Sequence, residues 1–190
     1  MARSTARKRA LNTLYEADEK GQDIPSLLAE RIAVPGAQTP LPDYAIEIVR
    51  GVADHADVID RTLDEHSTGW KVRRMAVVDR NILRIAAWEM LFNDEVPDKV
   101  AIDEALALAK TLSDDDAPSF IHGLLSAVCD DKEHILAALA PTDDAEAAET
   151  DASADDTAAA QDAPSETAGD DTRPDAPVDG HPDDSGDAES

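Results

Sequence analysis

MAVVDRNILRIAAWEMLF, residues 75–92, is apolar around most of its circumference when wound as a helix. Asp79, Arg80, Asn81 and Arg84 leave only a narrow polar strip. A segment of this kind marks the central buried helix of a bundle, and the rest of the chain has to supply the elements that cover it.

Those elements are given by the spacing of apolar residues on either side. Downstream, Pro97 opens a helix whose expected inner stripe is Ile102, Ala105, Leu106 and Ala109. The acids of DDDAP (114–118) precede a further helix, where they suit its dipole and offer a cap. In that helix Ile121, Leu124, Leu125 and Val128 follow the i, i+3, i+4, i+7 pattern, and residues 132–139 add a last amphipathic turn or two. Upstream, Tyr44, Ile48, Val52, His55, Ile59 and Leu63 form the stripe of one long helix, with His55 a packed or boundary residue rather than a ligand. VPGAQTPLP (34–42) is a loop, and residues 25–33 form a short helix with proline in its first turn. A first helix, with Thr5 as its candidate cap, runs to about Lys20 and ends at Gly21. Gly69 and Trp70 read as a joint between two halves. No stretch of the body alternates with period two for long enough to make a strand. The expected fold is all-α, a helical bundle of two subdomains over residues 1–140.

Charge separates that body from the C-terminal segment. The formal net charge is −25, but residues 141–190 carry 17 acids against one base (Arg173), a charge of −16, which leaves −9 on residues 1–140. The tail has no Leu, Ile, Met, Phe, Trp or Tyr and so cannot offset the entropy of ordering; a disordered acidic C-terminal tail is expected there. Cys129 is the single cysteine, which excludes a disulfide framework and a thiolate metal cluster, and its apolar neighbours suggest a structural thiol. No apolar run reaches the roughly 18–20 residues that span a bilayer, and the first twenty residues lack the apolar stretch of a signal peptide. A soluble, cytoplasmic protein is expected.

Catalytic and cofactor signatures are lacking: there is no glycine-rich phosphate loop, no HExxH and no CxxC. Asp103 and Glu104 are adjacent on a helix and point about 100° apart, so they make a poor acid–base pair; Asp103 is better placed to pair with Lys99. The five histidines show no metal-ligand spacing. The expected role is binding, with no cofactor or metal.

Two groups of cations bear on what is bound. The arm ARSTARKR (2–9) holds Arg3, Arg7, Lys8 and Arg9 with no acid among the first nine residues. Lys8 and Tyr15 are two helical turns apart and face the same way. A cation beside an exposed aromatic holds single-stranded RNA through phosphate attraction and base stacking. The alternative is a solvated helix start with Tyr15 in the core. Lys71, Arg73, Arg74, Arg80 and Arg84 form a second basic group, and Phe120 lies one position outside the apolar stripe of its helix, suited to exposure or to a core or interface role.

VDRNILRIAAWEML, VPDKVAIDEALALAK and PSFIHGLL, in this order from residue 78, resemble the NusB transcription antitermination family, as does ARKRALNTLYEAD (6–18) at the start. The resemblance spans roughly residues 3–139. It implies an all-α fold of two helical subdomains and a protein that pairs with ribosomal protein NusE, binds the boxA element of nascent RNA and helps RNA polymerase through terminators, notably in ribosomal RNA operons. The RNA-contacting positions would map to Arg3, Arg7, Lys8, Arg9, Tyr15 and Phe120, and the acids facing NusE to Asp79 and Asp116. His122 and Ser126 stand where the family commonly has Asn and Asp. A helical protein–protein adaptor or homo-oligomer, with a homodimer as one form, without direct RNA binding is the alternative.

Overall fold

A computed structural model describes residues 2–34 and 39–140. The expectations for the 141–190 tail and for the middle of the 34–42 loop lie outside the described residues. Among the described residues there are eight α-helices and no strand: α1 (Ala2–Lys20), α2 (Ile24–Ala33), α3 (Asp43–Asp54), α4 (Ala56–His66), α5 (Val77–Phe92), α6 (Asp98–Leu112), α7 (Ala117–Asp130) and α8 (Lys132–Leu139), with a 3-10 turn at Val72–Arg74.

Local chemistry sets most of the boundaries. Gly21 takes a left-handed φ of 60° and ends α1, donating its N–H to the Asp18 carbonyl. The Asp23 carboxylate caps α2 by accepting from the Ser26 N–H at 2.9 Å, and Pro25 sits in the first turn, where a missing N–H costs nothing. α1 begins three residues before the expected cap at Thr5.

α5 is the central element. It packs against α1 and α3 on one side and α4, α6 and α7 on the other, so it joins the two halves of the bundle. Ile82, Leu83, Ile85, Ala86, Ala87 and Met90 are buried along it. α3 approaches α5 closely because Gly51 has no side chain: a Cβ there would lie 1.9 Å from the Trp88 Nε1.

Three expectations are corrected. The single helix over residues 44–63 is two helices, α3 and α4, broken at His55 (φ −116°, ψ 17°). The imidazole stacks on Phe92 with ring centroids 3.9 Å apart and its Nδ1 bonds the Gly51 carbonyl, so the chain turns there. Ile48, Val52, Ile59 and Leu63 are buried on both sides of the break, which is why the stripe reads as continuous. On α6 the buried stripe is Ala101, Ala105 and Ala109, with Ile102 and Leu106 half-buried; the small residues let α6 lie close to its neighbours α5 and α7. Finally, Asp116 is the N-cap residue of α7 but its side chain makes no capping bond; the Ala117 N–H is met by the Asp114 carbonyl at 3.0 Å.

The second basic group divides. Arg84 clamps Asp60 with two bonds of 2.8 and 2.7 Å, and Arg80 pairs with Asp18 at 3.1 Å, tying α5 to α4 and α1. The buried Asn81 amide also donates to Asp18, at 2.7 Å. These cations hold the bundle together. The expected Lys99–Asp103 pair is present at 3.3 Å.

Candidate functional site

The arm is the first two turns of α1, and its inner stripe is Arg7, Ala10, Leu11 and Leu14. Arg7 therefore faces inward, which departs from its placement with the RNA-facing cations. Its side chain is 3% exposed and its Nε donates to both oxygens of Glu89, itself 1% exposed, at 2.9 and 3.0 Å. Glu104 lies 3.5 Å from the same guanidinium, and the Tyr44 hydroxyl donates to Glu89. Burial on its own would lower the Arg7 pKa, but the bond and charge of Glu89 outweigh it and hold the pKa above its ordinary value. Burial, followed by the bond to the Glu89 carboxylate, pushes the Tyr44 phenol well above its usual range. Arg7 thus orients α1 from inside.

The other three cations remain on the surface to different degrees. Arg3 is half-exposed, lies over the Tyr44 ring at 4.8 Å and pairs with Glu95 at 2.6 Å. Arg9 donates to the Thr39 hydroxyl at 3.0 Å and the Thr39 carbonyl at 2.6 Å. Lys8 is exposed. Tyr15 is 40% exposed, which excludes the core reading, and its seven-residue offset from Lys8 puts both on one outer face of α1.

The remaining assigned residues meet elsewhere. Asp79 and Asp116 line a single open groove of about 430 Å³ together with Phe120, Met75, Asp114 and Trp70. Asp79 opens α5 and also accepts from the Ser113 hydroxyl. Phe120 is half-buried and rests on the core with one side. His122 is exposed. α1 and α5 run antiparallel, since Arg7 meets Glu89 while Asp18 meets Arg80. Glu89 marks the arm's end of α5 and Asp79 the groove's end, ten residues or about 15 Å apart along the helix.

Sequence reasoning placed Trp70 at a joint between two halves and gave it no site role. It is 58% exposed, and the Arg74 guanidinium sits over its ring at 5.6 Å. An apolar residue in a segment rich in charge and turn formers was the available signal. Among the described residues no cluster of three metal-ligating side chains is found, and no helix is long and apolar enough to cross a membrane. The Cys129 thiol is pushed up chiefly by burial and lies 3.9 Å from Asp98.

Known proteins share both the sequence pattern and the fold. The NusB family model matches residues 4–130. The transcription antitermination protein NusB of Bifidobacterium longum subsp. infantis is 79% identical over 159 residues, which is 84% of this chain and 83% of that protein. The protein of the same description from Beutenbergia cavernae is 54% identical over 132 residues, 65% of this chain and 86% of its own length. Among solved structures, T. maritima NusB superposes with a TM-score of 0.59 at 27% identity, covering 67% of this chain and 90% of that one. A chain from the complex of antitermination factors NusB and NusE with dsRNA superposes at 0.57 and 26%, covering 67% and 96%.

Proposed function

The chain belongs to the NusB family, and on that premise we propose that it is a cytoplasmic transcription antitermination factor that binds boxA RNA together with NusE and promotes read-through by RNA polymerase, notably in ribosomal RNA operons. Its role is binding rather than catalysis, and residues 1–140 carry it, with the acidic 141–190 segment outside the binding body. The observation that supports this most is the outer face of α1, where exposed Lys8 and Tyr15 stand together, with half-exposed Arg3 about 140° round the same helix. That face offers phosphate attraction and a stacking surface on one rigid helix. Asp79 and Asp116, in their separate groove, face NusE.

The test is binding of boxA and scrambled RNA, with and without NusE, across a salt series. With Arg7 internal, two or three phosphates can be neutralised by the arm, so log affinity should fall with log salt at a slope of roughly −1.4 to −2.1. Equal binding of both RNAs in the presence of NusE overturns the sequence-specific reading.

A further inference from the structure

Trp70 is the most open of the tryptophan, tyrosine and phenylalanine side chains among the described residues, and nothing in the core requires it to be there. It walls the groove that also holds Phe120 and Met75, while Asp79, Asp114 and Asp116 stand on its rim. One cation lines this groove, Arg74, and it is already stacked over the Trp70 ring at 5.6 Å. Three acids against one base repel a phosphodiester, so an RNA backbone is a poor occupant. A guanidinium suits both parts of the surface: its plane is attracted to the face of an indole, and its N–H fork bonds carboxylate oxygens in pairs. The Asp116 carboxylate is not engaged in capping α7, which leaves it available to such a donor. Arg74 makes, from inside the chain, the contact that an incoming arginine would make.

We propose that this groove is a socket for an arginine side chain of a basic protein partner, with Trp70 as its aromatic wall and Asp116 as its carboxylate. The socket's chemistry stands on the groove alone; identifying the partner as NusE rests on the proposed function.

The experiment uses the full chain and follows Trp70 emission during titration with NusE, since Trp88, the other tryptophan, is buried. NusE binding should change the emission, and Trp70→Leu should abolish the change and weaken binding by about 3- to 30-fold, the range of a cation–π contact. Asp116→Asn should weaken it as well, while boxA RNA binding in the absence of NusE stays the same for Trp70→Leu. Trp70 is exposed, so circular dichroism should show an intact fold. Undiminished NusE affinity in Trp70→Leu overturns the socket. So does a loss of RNA binding with NusE affinity kept, which would mean that the groove holds a base. If the unaltered chain binds no NusE, the proposed function fails instead, and the socket is decided by a short arginine–alanine peptide and its citrulline counterpart at physiological ionic strength. Preference for the arginine peptide that is lost in Trp70→Leu and Asp116→Asn upholds it; equal binding of the two peptides overturns it.

Discussion

Arg7 and Glu89, 82 positions apart, form a buried pair in which one guanidinium nitrogen reaches both carboxylate oxygens, at 2.9 and 3.0 Å. Through this pair the basic arm is fixed to the central helix α5, and the orientation of every other arm residue depends on it.

Removing one member of such a pair leaves an uncompensated buried charge. Arg7→Ala or Glu89→Ala should therefore cost about 3–5 kcal/mol of unfolding free energy. Arg7→Met combined with Glu89→Leu should recover most of that loss, because neither charge then remains. Urea denaturation of the three variants checks this, and near-native stability of Arg7→Ala would show that the pair is not holding the arm.

Surface members of the arm should behave oppositely. Lys8→Ala should leave the unfolding midpoint within experimental error and reduce the salt slope of RNA binding by about 0.7, one phosphate's share on a single strand. Tyr15→Ala should lower RNA affinity by about 1–3 kcal/mol without altering the slope, because stacking carries no counterion release. Filter binding across a salt series separates the two effects.

Arg3 meets a carboxylate before it meets any RNA. The Glu95 partner is well exposed, so the pair adds little to stability. Glu95→Gln should leave the melting temperature unchanged and raise RNA affinity a few-fold at low salt, with the gain shrinking as salt rises. An unchanged affinity at low salt would mean that Arg3 does not touch phosphate.

Gly51 carries the closest helix approach in the fold among the glycines described. Gly51→Ala places a methyl group inside the Trp88 ring's contact distance, and overpacking of this kind costs about 1–3 kcal/mol or more. Thermal unfolding should show a clear drop, whereas Gly123→Ala, where a Cβ meets nothing within 4 Å, should not.

Helical periodicity is enough to settle the architecture. The buried positions of α5 and α7 and the glycine stop of α1 are all readable because an α-helix sorts its faces by local spacing alone. The arm and the Lys8–Tyr15 face were legible for the same reason. Arg7 was legible only in part: it lies on the apolar stripe with Ala10, Leu11 and Leu14, but a cation on a stripe does not name its counter-ion. That counter-ion, Glu89, is brought to it by the packing of α1 on α5. The same holds for the break at His55, which depends on Phe92, and for the groove that collects Trp70, Asp79, Asp116 and Phe120 from three parts of the chain. Local spacing determined which residues face inward on each helix. Tertiary packing decided which charges meet, and so which arm cations are left for a ligand, because partners far apart in sequence leave no local mark.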